Sequence, residues 1–228
     1  MMKRSLVAAW LCLSPSLWPA DLDSARDRQD RPALEVAVRE LAEAARKNPG
    51  DARNHYRLAL AQSYLSEVAL ELRDKQLARA AAEEGIRAAE RAVALDGKTA
   101  EHHRILGTLC GQVIPANVLS GLKYGKCAQE SIEKAITLDP KSALAYLSRG
   151  IGNFYLPEAF GGGGEPAIRD FRRAIELSPK LSEAHLWLGI ALRKANRNPE
   201  AREAIERSLE LNPKRVWTKQ QLEKTPAR

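Results

Sequence analysis

Aromatic residues are scarce in this sequence, and none of its segments has the pattern of a β-strand. Phenylalanine, tryptophan and tyrosine together make up 5% of the 228 residues. Beyond the N-terminus no stretch alternates β-branched and polar residues, which disfavours sheet architectures. Alanine, leucine, glutamate, arginine and lysine dominate instead, and these residues favour helix. The composition therefore predicts an all-α fold, with enough chain for one large or two small domains.

The sequence also lacks a recognisable set of catalytic or metal-binding residues. His102 and His103 are neighbours on a predicted helix, so their side chains point about 100° apart and are poorly placed to share a metal ion. Carboxylates are scattered at the spacing of a solvated helix surface. The glycine run 161–164 follows no strand and precedes no Lys-Ser or Lys-Thr, so an inter-helix loop is favoured over a phosphate-binding loop. We expect no enzyme activity, no cofactor and no metal site.

Blocks of one charge sign are absent as well. The formal net charge is +7, from 36 lysine and arginine residues against 29 acidic residues. Residues 1–20 contain no acidic residue and only two basic ones, Lys3 and Arg4. The other basic residues are interspersed with acidic ones. Because nucleic-acid binding usually requires a basic stripe, a nucleic-acid partner is disfavoured.

Residues 1–20 have the layout of a secretory signal peptide. A short basic segment precedes the apolar run 6–13, which is too short to span a bilayer. Cleavage is expected after Ala20; a second site with small residues at Ser14 and Ser16, or an uncleaved N-terminus, are the alternatives. The sequence thus predicts an exported protein, periplasmic or secreted, without a transmembrane span in the mature chain.

Residues 182–215 contain the unit that the rest of the chain repeats. They read as two amphipathic helices joined by a tight turn, with apolar and small residues spaced three and four apart. This unit resembles a tetratricopeptide repeat (TPR), which has Leu-Gly in its first helix, two small residues flanking an apolar one in its second helix, and a closing proline. The residues that carry the resemblance are Leu188, Gly189, Ala201, Ile205, Ser208 and Pro213.

The pattern recurs along the chain in units longer than the family period of about 34 residues. The resemblance implies a single domain over 32–224, a right-handed α–α superhelix (a TPR solenoid) of antiparallel helix pairs. Residues 21–31 before it are polar and charged, which predicts a flexible leader. Additional residues at 113–125 and 156–166 are expected between the helices of two units. The half-repeat, the four repeats and the closing helix are predicted at 32–49, 52–97, 100–140, 143–179, 182–215 and 214–224.

Histidines and cysteines fall within these repeats. His55, His103 and His185 take the position near the start of a first helix that an aromatic residue normally holds, so we expect their rings to fill that packing position. Cys110 and Cys127 lie on the two helices of one unit. In an oxidising compartment they can form a disulfide, and two buried thiols that never pair are the alternative.

The resemblance implies a binding surface on the concave face, which the first helices line. Its apolar middle, flanked by Arg104, Arg193 and Lys194, suits an extended or helical peptide with an acidic group. The alternative for Phe154 and Tyr155 is packing under the glycine-rich insertion. The residues expected to contact a partner are Tyr56, Tyr64, Arg104, Leu147, Ile151, Phe154, Tyr155, Ile190, Arg193 and Lys194.

The predicted function is a non-enzymatic protein–protein interaction scaffold or adaptor that binds a protein or peptide partner in this groove. The lysine and asparagine clamp of chaperone-binding TPR proteins is not recognisable, which disfavours a cytosolic chaperone as the partner. The alternative is a small-ligand or lipid-binding component of an exported transport system. A closed cavity under the insertions would favour that alternative.

Overall fold

The computed structural model describes residues 19–116, 119 and 121–226. Within these residues the chain forms eleven α-helices and no strand, which confirms the all-α prediction. The helices are α1 (Pro19–Asp27), α2 (Arg31–Lys47), α3 (Ala52–Glu71), α4 (Lys75–Leu95), α5 (Ala100–Ala116), α6 (Gly121–Leu138), α7 (Ala143–Tyr155), α8 (Gly164–Leu177), α9 (Ser182–Lys194), α10 (Asn198–Leu211) and α11 (Val216–Glu223).

Consecutive helices pack as pairs, and each pair stacks on the next. The pairs are α1 with α2, α3 with α4, α5 with α6, α7 with α8, and α9 with α10, and α11 packs on the last pair. This arrangement is the predicted TPR solenoid. Neighbouring pairs also touch through their first helices, since α3 packs on α5 and α5 on α7.

The residues that repeat in the sequence form the contacts between helices. Phe171 in α8 and Ile205 in α10 are fully buried, and burial of such a side chain contributes about 1.5–3 kcal/mol. Gly189 in α9 lies so close to α10 that a Cβ atom there would be 2.7 Å from the carbonyl oxygen of Ala201. The small residue at this position is therefore required by the close approach of the two helices.

Polar side chains cap the starts of first helices. Asp51 Oδ1 accepts a hydrogen bond from the N–H of Arg53 at 2.9 Å, at the start of α3. Ser142 Oγ accepts from the N–H of Ala145 at 3.2 Å, at the start of α7. Such a cap contributes about 1 kcal/mol, and it fixes the residue at which the helix begins and hence which side chains face inward.

Three histidines share a contact that the packing prediction did not include. Each ring bonds the carbonyl group six residues earlier, at the end of the preceding repeat. Because a carbonyl oxygen only accepts hydrogen bonds, Nε2 is the nitrogen that carries the proton. These ring-to-carbonyl hydrogen bonds join His55 to Pro49 at 3.1 Å, His103 to Gly97 at 2.9 Å and His185 to Pro179 at 3.0 Å.

In the described residues no group of three or more His, Cys, Asp or Glu side chains could hold a metal ion.

The flexible leader expected at 21–31 is instead mostly helical, because α1 continues to Asp27. Leu22 and Ala25, three residues apart, are 2% and 4% exposed and pack in the cluster formed with α2 and α3. The charged residues around them obscure this apolar spacing in the sequence. The half-repeat predicted at 32–49 therefore has a first helix after all.

The predicted signal peptide, residues 1–20, lies almost entirely outside the described part of the chain, which starts at Pro19. Its presence and its cleavage site stay predictions. Among the helices that the structure describes, none is long and apolar enough to cross a membrane.

The first insertion, 113–125, lengthens helices rather than forming a loop. The helix α5 continues to Ala116, and α6 begins at Gly121. In this pair the structure joins Cys110 and Cys127 in a disulfide, with Cα atoms 6.0 Å apart. The structure therefore has the disulfide rather than two unpaired buried thiols, and this disulfide links α5 to α6.

The second insertion, 156–166, is a compact loop between α7 and α8. It contains a 3₁₀ helix, Glu158–Phe160, and the Phe160 side chain is 75% exposed. Gly163 has φ of 101°, a backbone conformation that favours glycine, and its N–H donates to the carbonyl oxygen of Asn153 at 2.8 Å. The loop is thereby anchored to the last turn of α7.

Candidate functional site

All ten residues expected to contact a partner lie on the first helices α3, α5, α7 and α9, which the TPR resemblance places along the concave face. Polar side chains connect these helices directly. Ser63 Oγ donates to Gln112 Oε1 at 3.1 Å, and Thr108 Oγ1 lies 3.0 Å from Ser148 Oγ. The helices α3, α5 and α7 thus lie side by side as one surface.

At the N-terminal half of this face the candidate residues are bonded to each other. Tyr56 OH donates to Glu101 Oε1 at 3.0 Å, and Arg104 Nε donates to Glu101 Oε2 at 2.7 Å. Burial and the Glu101 carboxylate raise the pKa of Tyr56, which keeps it a donor. Burial opposes the charge of Arg104, but Glu101 outweighs it and raises the Arg104 pKa. The Arg104 charge is therefore neutralised within the chain.

Tyr64 is likewise engaged. Its hydroxyl donates to Asp23 Oδ1 at 2.7 Å, and the Arg26 guanidinium lies 4.8 Å from the centre of its ring. Burial raises the pKa of Tyr64. This side chain connects α3 to α1 and has little left to offer a partner.

The three aliphatic candidates serve mainly in packing. Leu147 in α7 and Ile190 in α9 are each 7% exposed and lie in core clusters. Ile151, half-buried, packs against the same cluster as Leu147. These side chains support the concave face more than they present an open contact surface.

The C-terminal half of the face carries an aromatic cluster around Trp187 of α9. The Trp187 ring lies 5.8 Å from Phe154, 6.2 Å from Tyr155 and 5.4 Å from Trp217 of α11. Its fourth neighbour, Phe171, is fully buried, whereas Tyr155 is 50% exposed. Such ring pairs contribute about 0.5–1.5 kcal/mol each beyond their burial. The aromatic cluster is therefore a rigid base with one accessible edge.

The two cations expected beside the groove differ in their surroundings. Lys194 is exposed, and its Nζ donates to the carbonyl oxygen of Phe154 at 3.3 Å and lies 4.4 Å from the ring centre. Arg193 instead donates through Nη1 to the carbonyl oxygen of Gln221 at 3.0 Å and to Thr225 Oγ1 at 2.9 Å. Lys194 is thus the cation at the open edge, while Arg193 is held by the C-terminal segment.

One important residue, Arg215, was missed in the sequence. It precedes α11, is 1% exposed and connects the two ends of the helix array. Its Nε donates to Glu183 Oε1 at 2.9 Å on α9, and its Nη2 donates to Glu67 Oε1 at 2.6 Å and also bonds Glu71, both on α3. We call this group of side chains the clasp: Arg26, Asp27, Glu67, Glu71, Glu183 and Arg215.

The clasp holds two cations against four carboxylates, and this environment shifts the pKa of Glu67, Glu71 and Glu183. Burial raises the pKa of Glu67 to about 7, against the opposing effect of Arg215. Burial acts in the same direction on Glu183, but Arg215 and Arg26 hold the Glu183 pKa below its ordinary value. No local sequence signal marks Arg215, because the hydrogen-bond partners of its side chain are 32 to 189 residues away.

A surface cavity of about 310 Å³ lies where α6, α7 and α8 meet. Side chains of its lining pair with one another: Arg149 Nη2 donates to Asp170 Oδ1 at 2.8 Å, and Asn153 Nδ2 donates to Asp170 Oδ2 at 2.8 Å. Glu133 pairs with Arg149 at its rim. This polar cavity gives no support to the alternative of a small-ligand or lipid-binding component.

Known proteins resemble this chain in structure or in sequence, and the first of those that follow agrees with the fold. A thermophilic TPR protein of Thermus thermophilus has a similar structure, with a TM-score of 0.61 and 17% identity, over 88% of this chain and 97% of that one. MamA of Desulfovibrio magneticus RS-1 has a TM-score of 0.47 and 20% identity, over 86% of this chain and 95% of that one. Protein STIP1 homolog of Dictyostelium discoideum is 34% identical over 96 residues, which are 42% of this chain and only 15% of that protein.

Two family models match different parts of the sequence. Residues 163–216 match the tetratricopeptide repeat family, which agrees with the repeat read at 182–215. Residues 20–156, more than half of the chain, match the family described as regulator of microtubule dynamics protein 1-3, and the chain therefore belongs to that family.

Proposed function

We propose that this protein is a non-enzymatic adaptor that binds a protein or peptide partner at the aromatic cluster on the C-terminal half of the concave face. The TPR fold suggests a protein-interaction scaffold. The observation that carries the finer proposal is the accessible edge of the cluster, where Tyr155 is 50% exposed beside Phe154 and Trp187. Aromatic side chains on a rigid base are the residues that most often dominate binding energy at interfaces.

The chemistry of this edge favours an amphipathic partner segment with an acidic group. Phe154 and Tyr155 offer apolar contact area, and the exposed Lys194 ammonium beside them offers an ion-pair partner. The N-terminal half of the face contributes less, because Tyr56 and Arg104 already bond Glu101. The partner contact is therefore expected to centre on α7 and α9.

The test is a pull-down with the double substitution Phe154→Ala and Tyr155→Ala. We expect loss of partner binding from a protein that keeps its helical content. Its thermal unfolding midpoint should fall by several degrees, because the two substitutions remove ring contacts with Trp187. Val36→Ala, at a 41%-exposed position on the second helix α2, is the matched control. Because the family is described by an effect on microtubule dynamics, co-sedimentation with microtubules is a second arm, whose positive result would favour a partner inside the cell over the export proposed next. A double variant that keeps every partner would contradict the proposal.

We further propose that the protein is exported, to the periplasm or the medium. The layout of residues 1–20 supports this, and so does the Cys110–Cys127 disulfide, since such bonds persist in oxidising compartments. Leu22, a buried residue of α1, follows the expected cleavage after Ala20, so cleavage there would keep this core residue in the mature chain. N-terminal sequencing of the protein from the envelope fraction tests this; a retained Met1 would contradict it.

A further inference from the structure

We propose that the C-terminal residues 215–225 form a displaceable strap on the partner-binding face, locked by Arg215, and that the partner is an amphipathic helix of the same pattern. The inference deepens the proposed function, on which its partner component rests. The strap consists of Arg215, the helix α11 and the residues up to Thr225.

The strap covers most of the partner-facing side of α9. In the first turn of α9, Glu183 accepts a hydrogen bond from Arg215 of the strap. In the last turn of α9, Arg193 donates to Gln221 and Thr225 of the strap. Between these two points, Trp217 and Leu222 of the strap pack on the cluster of Leu186 and Ile190. Of the three α9 side chains expected to contact a partner, only Lys194 has no such contact with the strap among the described residues. The strap therefore already occupies the α9 part of the groove as an intramolecular ligand.

The pattern of the strap indicates what else this face accepts. An arginine meets the carboxylates, a tryptophan two positions later meets Trp187 at 5.4 Å, and an amide and a hydroxyl bond Arg193 at the far end. A partner helix with a basic residue, an aromatic residue two positions on and a polar end would satisfy the same groups. The acidic group of the proposed partner would then pair with Lys194, which lies beside Phe154. This is the helix-in-groove mode of recognition, with part of the groove covered in advance.

The lock lies at the first residue of the strap. Arg215 bonds Glu67 and Glu71 on α3, the Arg26 carbonyl oxygen on α1 and Glu183 on α9. These contacts tie the last helix to the first two pairs, whereas the stacked pairs themselves hold together through their own cores. Loss of the Arg215 contacts should therefore release the strap and leave the pairs stacked.

A second feature weakens the docked strap. Thr218 faces inward at 0% exposure, and its hydroxyl has no hydrogen-bond partner in the part of the chain that the structure describes. A buried hydroxyl without a partner destabilises the docked state relative to a solvated one. Valine has the same shape without the hydroxyl, so Thr218→Val should hold the strap more tightly.

The test uses the full chain and three variants in hydrogen–deuterium exchange followed by mass spectrometry. Arg215→Gln should speed exchange of the α11 amides by about tenfold or more, with α4 and α8 unchanged. Thr218→Val should slow α11 exchange several-fold. Arg207→Gln is the control, since the Arg207 ion pair with Glu210 is exposed on α10. If the α11 amides exchange at the same rate in Arg215→Gln, in Thr218→Val and in this control, the proposed lock is overturned.

The same variants are then titrated with a fluorescent peptide of residues 214–226 of this chain. We expect Arg215→Gln to bind the peptide about tenfold more tightly than the wild type, Thr218→Val to bind it more weakly, and a peptide with Trp217→Ala not to bind. If Arg215→Gln exchanges throughout because it unfolds, Thr218→Val decides, and unchanged exchange and binding in that variant would overturn the strap. A strap that is released without tighter peptide binding would instead contradict the partner face and the proposed function.

Discussion

The substitution Glu67→Gln should stabilise the protein at alkaline pH, although it removes half of an ion pair. Glu67 accepts from Arg215 Nη2 at 2.6 Å, and the amide oxygen of a glutamine can accept the same bond. The clasp has four carboxylates for two cations, so one negative charge fewer reduces the repulsion among Glu67, Glu71 and Glu183. A simple ion-pair argument predicts the opposite outcome, namely a loss of stability.

The expected magnitude follows from the Glu67 pKa. A carboxyl group whose pKa rises from 4.5 to about 7 on folding costs roughly 3 kcal/mol when ionised, at about 1.4 kcal/mol per tenfold change in proton affinity. Because the folded state binds the proton more tightly, this cost is absent below about pH 4.5, grows as the pH rises to about 7 and is constant above. We expect a gain of about 1–3 kcal/mol at pH 8, less than the full figure because the side chain is 24% exposed.

The assay is urea unfolding of both proteins between pH 5 and pH 8. The difference in the free energy of unfolding between the Glu67→Gln protein and the wild type should be largest at pH 8 and should shrink as the pH falls to 5. Glu71, whose pKa burial also raises, keeps part of the pH dependence in both proteins, so the difference reports Glu67 together with its repulsion of Glu71. Glu206→Gln, in an exposed pair with Arg202, should change stability by less than about 0.5 kcal/mol. A destabilised Glu67→Gln protein, or a difference that does not vary with pH, would refute the reasoning.

Two further predictions concern packing and the disulfide. Gly189→Ala should destabilise the protein by about 1–3 kcal/mol, because the added Cβ would meet the α10 backbone. Gly152→Ala in α7 has open space around it and should stabilise the protein by about 0.5–1 kcal/mol. Equal effects of the two substitutions on thermal unfolding would contradict this packing. Reduction of Cys110–Cys127 should lower the free energy of unfolding by about 3 kcal/mol, as expected for a loop of this size, and a Cys110→Ser protein should then no longer respond to reductant.

The fold was predictable because its signal is local and repeated. Phe171 and Ile205 recur at the same place in their units, and each is fully buried. Gly189 follows from the same pattern, since a small residue is needed wherever two helices approach closely. Short-range spacing of this kind determines helix pairs without reference to distant parts of the chain.

The departures from the prediction have physical reasons of two kinds. Leu22 and Ala25 form a short apolar face within a charged segment, and composition outweighed periodicity there. Residues 113–125 were expected between two helices, but α5 continues to Ala116, and only one residue of the helix follows Pro115, whose ring removes one backbone hydrogen bond.

The candidate site was predictable only in part, because its state depends on contacts between distant residues. The positions of Phe154, Tyr155 and Lys194 on the face follow from the repeat. That Arg104 is neutralised by Glu101 also lies within reach of sequence, because the two are three residues apart on one helix. That Arg215 bonds side chains on α3 and α9 depends on how far the superhelix curves, which no local pattern specifies.

The most direct test of the central claim is site-specific photocrosslinking in the native host. A photoreactive phenylalanine analogue is placed at Tyr155, on the accessible edge of the aromatic cluster, or at Val36, which is exposed to a similar extent on α2. We predict a discrete protein adduct from position 155 that is lost when Lys194 is changed to Glu, and no such adduct from position 36. Equal adducts from both positions, or none from position 155 while position 36 is crosslinked, would contradict partner binding at the aromatic cluster.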